Sequence, residues 1–245
     1  MIARPRTAML LAAGLGTRMR PLTDRTAKPL LPLGGRPLID HALDRLAEAG
    51  VETVVVNAHW HVELIAAHLR ARATQPPRTI LQREAAPLET GGGVKAALHL
   101  LGPEPFFVVN GDAYWVDGPR PALDRLAAAF DPRDVDGVLL VHRTCQVHAE
   151  VGYGDFAVDP WGMLRRRGER EVVPYLYAGL QIISPALLAD SPDGAFSVNL
   201  AWDTAMAAGR LRAVVHDGLW FHLSTPIDLT EAETILQARL TGDTR

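Results

Sequence analysis

LLAAGLGTRMRPLTDRTAKPLLPL, residues 10–33, decides how this chain is read. An apolar run from Thr7 to Ala13 has the composition of a buried strand, and it ends on Gly14 and Gly16. A turn made of such residues presents backbone N–H groups with no side chain in the way, and a phosphate is the natural guest. Arg18 adds a planar donor fork, and Lys28, set between turn residues and Pro29, adds a compact point charge. The dinucleotide fingerprint is excluded because Met19 stands where its third glycine belongs, and the P-loop because no Gly-Lys-Ser/Thr occurs. The two glycines alone also fit a tight turn with solvated Arg and Lys. Pro21, Leu22 and Pro29, in step with Arg18 and Lys28, favour the phosphate.

Outward from this loop, short runs rich in Val and Leu alternate with helical patterns, as in crossover units that build a mostly parallel sheet. Strands are expected at Thr7 to Ala13, Thr53 to Asn57, Thr79 to Gln82, Phe106 to Val109 and Val135 to Val141. Helices are expected at Pro37 to Ala49, Val62 to Ala71, Thr90 to Leu101 and Pro121 to Phe130; the first has proline at its start and Gly50 past its end. After about residue 142, GYGDFAVDPWGMLRRR reads as two short strands around a turn and YLYAGLQIIS as another apolar strand, an antiparallel extension of the same sheet. Thr225, Pro226 and Asp228 start a last helix running to Leu240, with Leu229, Ala232, Ile235 and Leu236 on one side. No linker, low-complexity segment or repeat divides the 245 residues, so a single domain is expected.

Composition narrows the function classes. The net charge is −3, and basic residues are dispersed apart from Arg165, Arg166 and Arg167, which gives no electrostatic footprint for nucleic acid. Cys145 is the single cysteine, so an internal disulfide is excluded, and no stretch approaches the roughly 20 apolar residues of a membrane span. MIARPRTAMLLAAG leads into a glycine turn instead of a cleavage signal, which points to a cytoplasmic protein. Of 25 basic residues, 23 are arginine; Lys28 and Lys95 are the exceptions. Val94, Leu98 and Leu101 make the apolar side of their helix, so Lys95 is expected on its solvated face.

Three further segments carry candidate chemistry. LETGGGVKAAL, residues 88–98, puts glycines at a helix start, where unpaired N–H groups and the helix dipole favour a polar or anionic partner, or simply make a flexible cap. PFFVVNGDAYW, residues 105–115, is an apolar strand ending in Asn-Gly-Asp; that is a common turn, but at the carboxyl end of a strand in an open α/β sheet it also faces the ligand crevice. If this strand end lies beside the Gly14 loop, Asp112 is placed to hold Mg²⁺ against phosphate oxygens. GYG at 152–154 and YAGLQIISP at 177–185 fit either a wall that lets a sugar ring approach the backbone or an ordinary hairpin with a bulge. His59, His61 and His68 lack the accompanying residues of a zinc site, and no Gly-x-Ser-x-Gly or Cys/His arrangement suggests a nucleophile.

At these residues the sequence resembles the sugar-1-phosphate nucleotidyltransferases, whose pattern is a strand, then Gly-x-Gly-Thr-Arg, Pro-Leu-Thr and Lys-Pro. The resemblance covers nearly the whole chain and implies a Rossmann-like, three-layer αβα nucleotidyltransferase fold. Residues to about 142 would form its nucleotide-binding part, and residues 143–245 its sugar-binding part. It implies that Ala12, Ala13, Gly14, Gly16 and Thr17 cradle a nucleoside triphosphate, that Arg18 binds the leaving β,γ-phosphates and that Lys28 binds the α-phosphate region. Gly91 and Gly92, with Glu89 and Thr90 nearby, would approach the base. Asp112 would bind the metal, and Asn110, Glu150, Gly154 and Gly179 would contact the sugar. Arg18, Lys28 and Asp112 are the expected catalytic residues of a monomer or weak homo-oligomer.

LWFHLSTPIDL departs from the family's Trp-x-Asp-x-Gly-Thr-Pro: His222 stands where a second metal-binding Asp is usual, and Ser224 where the Gly is usual. Imidazole suits Mn²⁺, Co²⁺ or Zn²⁺ better than Mg²⁺, so three readings follow: altered metal preference, Mg²⁺ held by Asp112 as sole carboxylate, or a binder without activity. The second is preferred, because triphosphate oxygens and water already supply most of an octahedral shell. The short length, PLETGGGV and the LWF-x-x-x-TP ending look most like family members that join UTP to N-acetylmuramic acid 1-phosphate in peptidoglycan recycling. The alternative is a thymidylyl, guanylyl or cytidylyl transferase for another phosphorylated sugar or alcohol.

Overall fold

Successive residues of a strand face opposite sides of a sheet, so a strand apolar at every position needs cover on both faces. FFVV and VLLV are such runs, and the computed structural model, which describes residues 4–147 and 152–240, covers them on both faces. The chain runs β1 (Thr7–Leu11), a short hairpin of β2 (Pro32–Leu33) and β3 (Arg36–Pro37), α1 (Leu38–Glu48), β4 (Thr53–Ala58), α2 (Val62–Ala71), β5 (Arg78–Arg83), α3 (Glu89–Leu101) and β6 (Phe106–Asn110). It continues through β7 (Tyr114–Val116), α4 (Ala122–Ala129), β8 (Gly137–Arg143), β9 (Phe156–Val158), β10 (Leu164–Arg166) and β11 (Tyr175–Ile183). Then come α5 (Asn199–Ala207), β12 (Leu211–Val215), β13 (Leu219–Phe221) and α6 (Pro226–Leu240).

The main sheet is ordered β12, β8, β11, β6, β1, β4, β5, with the β9–β10 hairpin attached to the start of β11. The β1–β4, β1–β6, β4–β5 and β8–β12 pairs are parallel; β11 is antiparallel to both neighbours. The strand YLYAGLQII therefore lies inside the sheet, and only β9–β10 extends it. Alternation divides the side chains between two cores: Ala8, Leu10, Val54, Val56, Phe107 and Val109 pack under α1, α2 and α4, while Met9, Val55, Phe106 and Val108 pack under α3 and α5. The result is a mixed, mostly parallel sheet with helices on both faces.

Observed bounds refine the expected ones. β1 stops at Leu11, short of Ala13, because the Ala12 N–H turns to the Asn57 side chain. β8 begins at Gly137; Val135 is buried in the approach to it. The final helix starts at Pro226, where the Thr225 hydroxyl accepts from the Asp228 N–H and the Asp228 carboxylate accepts from the N–H groups of Ser224 and Thr225. That reciprocal cap fixes α6, whose Leu229, Ala232, Ile235 and Leu236 join Met19, Leu31, Leu33, Leu38, Phe221 and Leu223 in a third apolar cluster. This cluster backs the segment that follows the glycine loop.

Candidate active site

In the strand order β5, β4, β1, β6 the chain reverses direction of travel beside β1, and a crevice opens at the carboxyl ends of β1 and β6. Leu11 there pairs with Asn57 on one flank and Asn110 on the other. A cavity of about 430 Å³ fills the crevice, and Ala12, Ala13, Gly14, Gly16, Thr17, Arg18, Lys28, Glu89 and Asp112 all line it. The N–H groups of Ala13, Gly14 and Leu15 have no acceptor among the described residues. Gly14 has open space where a Cβ would stand, whereas Gly16, at φ +62°, is closed against Thr23, whose hydroxyl donates to the Gly16 carbonyl at 2.7 Å. The loop is thus folded by Gly16 and left open to a ligand by Gly14.

Lys28 Nζ donates to Asp112 Oδ2 at 2.5 Å, joining the glycine loop to the end of β6. The Lys28 side chain is 12% exposed and that of Asp112 37%, so the anion faces the cavity while the cation lies behind it. Among the described residues no group of three or more His, Cys, Asp or Glu side chains is placed to hold a metal ion. One accessible carboxylate oxygen beside a polyanion site is the donor set of an ion shared with substrate oxygens, the usual manner of Mg²⁺. The residues present therefore fit a metal carried largely by a bound anion.

A buried relay sets the opposite wall. The Ala12 N–H donates to Asn57 Oδ1 (2.8 Å), Asn57 Nδ2 donates to Glu84 Oε1 (2.7 Å), and Glu84 Oε2 accepts from the Leu88 N–H (3.2 Å). Asn57 and Glu84 are 2% and 6% exposed. This chain of bonds ties the glycine loop to the segment that enters α3, and Glu89 in that segment sits at φ +59°, a costly conformation for a residue with a Cβ. Asn57 and Glu84 were not singled out in the sequence. Asn57 does carry a signal, as the one polar residue after the apolar run of β4; Glu84, which follows the polar strand Arg78–Arg83, carries none.

Gly91 and Gly92 do not line the cavity. Both N–H groups donate to the Phe196 carbonyl, at 2.9 and 3.1 Å, and a Cβ would lie 2.3 Å from the Phe196 ring at Gly91 and 2.1 Å from the Gly194 carbonyl at Gly92. They are glycines so that α3 can pack against residues 194–198, and Leu88, Glu89 and Thr90 face the cavity in their place. Lys95 is likewise not on a solvated face: its ammonium donates to the Ser191 carbonyl at 2.5 Å and pairs with Asp193 at 2.9 Å.

Two smaller cavities, of about 310 and 260 Å³, adjoin the first, and Asn110 borders all three. Gly179 lines the smallest at φ +82°, in the bulge of β11, with Ala113 Cβ 3.1 Å from where its own Cβ would be. Gly154 borders none of them; its φ of +79° makes a turn packed on the Val173 carbonyl, and Asp155 lines the wall instead. Glu150 lies outside the described residues. His222 shares the smallest cavity with Arg18 and Asp112. Burial holds its imidazole below the ordinary 6.5, reinforced by Arg18 and Lys28 and opposed by Asp228 and Asp112, so at neutral pH it is uncharged. Of the other histidines considered, His59 Nδ1 bonds to the Glu84 carbonyl and His68 Nε2 pairs with Asp40.

A loop of unpaired N–H groups, a lysine–aspartate pair and two adjoining cavities at one sheet switch point make a cleft suited to a phosphorylated ligand. The chain belongs to the MobA-like NTP transferase domain family, which it matches over residues 8–216. It is 43% identical over 243 residues to the N-acetylmuramate alpha-1-phosphate uridylyltransferase of Caulobacter vibrioides, covering 98% of this chain and 99% of that one. The protein of the same name from Neisseria meningitidis serogroup B is 33% identical, covering 94% and 98%. In fold, a UDP-glucose pyrophosphorylase solved with UDP-glucose superposes with a TM-score of 0.81 at 17% identity, covering 96% of this chain and 99% of that one. No described helix is long and apolar enough to cross a membrane.

Proposed function

We propose that this protein transfers the uridylyl group of UTP to N-acetylmuramic acid 1-phosphate, releasing pyrophosphate. The observation that carries the reading is the position of Asp112 and Arg18, which line both the large cavity and its smallest neighbour. A nucleotide in the first and a sugar phosphate reaching in from the others would meet at that shared wall. The choice of UTP and of the muramyl sugar follows the Caulobacter relative, similar along almost its whole length.

A phosphate monoester has its second pKa near 6, so at pH 7 the sugar phosphate is a ready nucleophile and needs no general base. Its oxygen bonds to the α-phosphorus of UTP as the bond from that phosphorus to the β-phosphate oxygen breaks, and pyrophosphate departs with the electron pair. The chain's work is positioning and charge compensation. The Ala13, Gly14 and Leu15 N–H groups and Arg18 hold the β,γ-phosphates, and Lys28 supplies positive charge at the α-phosphate. Asp112 would hold Mg²⁺, which would neutralise charge on triphosphate oxygens. His222, uncharged and in the same cavity, is given no ligand role, so Mg²⁺ supports turnover and Mn²⁺ substitutes without being required. We assign the reaction to the cytoplasm, where nucleoside triphosphates are made.

The test is pyrophosphate release with four nucleoside triphosphates against a panel of sugar phosphates, in Mg²⁺ or Mn²⁺. UTP with N-acetylmuramic acid 1-phosphate should give the highest kcat/KM, and Asp112→Asn and Lys28→Ala should each lower turnover by about a hundredfold or more, the scale of one lost transition-state contact. Near-normal turnover in Asp112→Asn would remove the metal assignment.

A further inference from the structure

The 310 Å³ cavity reaches away from Asp112 to a wall on which Arg166 is the one cation. We propose that Arg166 binds the lactyl carboxylate of the muramyl sugar and so distinguishes it from the same sugar without that ether; this rests on the function proposed above. Arg166 extends from β10, and its guanidinium lies over the Phe156 ring, 4.8 Å from its centroid, and 5.8 Å from that of Trp202. Its Nε donates to Asp203 at 2.7 Å and one Nη to Asn199 at 2.9 Å, while the other Nη has no hydrogen bond among the described residues. Two aromatic faces and two acceptors thus fix the plane of the fork and leave the whole of one Nη over, with both of its N–H groups. Asp203 is 55% exposed, so water screens the charge it brings to the pair.

The rest of the cavity suits a sugar body. Trp202 Nε1 is occupied by Gln181 Oε1 at 2.9 Å, and the buried Tyr177 hydroxyl beside Gln181 has no well-formed hydrogen bond among the described residues. Asp155, the one acid on this wall, already accepts the Tyr177 N–H at 2.9 Å and suits a sugar hydroxyl, not a carboxylate. An acidic ligand is therefore directed by charge toward Arg166, and its phosphate toward Asn110 and the shared wall.

The experiment compares kcat/KM with UTP for N-acetylmuramic acid 1-phosphate and for N-acetylglucosamine 1-phosphate, which lacks the lactyl ether. Wild type is expected to prefer the muramyl substrate. In Arg166→Met, which keeps the apolar stem against Phe156 and Trp202, that preference should fall by about ten- to a hundredfold, the worth of one charge-assisted bond, and Arg166→Lys should restore part of it. Thermal melting of each variant reports folding. If Asp203→Asn, which breaks the ion pair but keeps the guanidinium, lowers the preference as far as Arg166→Met, or if Arg166→Met lowers both substrates equally, Arg166 is a structural ion pair and the inference is wrong. If wild type turns over both substrates equally, the carboxylate is not read and the inference also falls. If wild type turns over neither, the function proposed above falls with it.

Discussion

Asn57→Ala tests whether the relay behind the 430 Å³ cavity is a structural tie. It removes a neutral bond from the Ala12 N–H, worth about 1 kcal/mol, and a bond to the Glu84 carboxylate, worth about 1.5–3 kcal/mol. It also leaves the Ala12 N–H and Glu84 Oε1 without protein partners where both flanking side chains are buried. Because the relay borders a cavity, water can enter and recover part of the loss, so the expected cost is about 3 kcal/mol. Urea denaturation at pH 7.5 measures it, and an Asn57→Ala/Glu84→Ala cycle should return a coupling above about 1 kcal/mol. The same variant should raise KM for the nucleotide, since the 12–17 loop and the entry to α3 lose their common anchor. A cost below about 1 kcal/mol, or additive single and double variants, would refute the relay.

Further expectations concern stability and packing. His142, 2% exposed on β8, is held by burial, with His216 and Arg143 adding to the effect, down to about 4. From the ordinary 6.5 downward the unfolded chain takes up a proton that the folded chain refuses, so stability falls with acidity across that window, by about 2 kcal/mol between pH 7.5 and 5. His142→Gln should flatten this part of a denaturation-versus-pH curve; an unchanged slope would contradict the assignment. Gly92→Ala should cost about 1–3 kcal/mol because its Cβ meets the Gly194 carbonyl at 2.1 Å, whereas Gly14→Ala, into open space, should keep the melting temperature and weaken nucleotide binding. Lys95→Ala should lower stability by about 1 kcal/mol, seen in urea, through loss of its bonds to residues 191–193, with kcat retained.

Much of the layered fold was legible because alternation along β1, β4, β6 and β8 sends neighbouring residues to two different cores. The glycine loop and Asp112 were legible for a local reason: each lies at the carboxyl end of its own apolar strand. What stayed hidden depends on contacts distant in sequence. A pair of glycines opening a helix looks like an anion site, and only the approach of Phe196, more than a hundred residues later, turns Gly91 and Gly92 into packing positions. Lys95 similarly waits for residues 191–193, and the Lys28–Asp112 pair joins two segments that were each read alone. The short β7 and β13 pair only with each other, a match that neither three-residue stretch announces. Arg166 was seen only within a basic run, and its stacking on Phe156 and Trp202 is what sets it apart.

The most direct measurement of the central claim is phosphorus NMR of UTP and N-acetylmuramic acid 1-phosphate mixed with the protein and Mg²⁺. The monoester resonance and the three UTP resonances should give way to a diphosphate ester pair and free pyrophosphate in equal amounts, and with Lys28→Ala in place of the wild type the same conversion should run about a hundredfold more slowly. Unaltered substrate spectra with wild type, or release of inorganic phosphate in place of pyrophosphate, would contradict it.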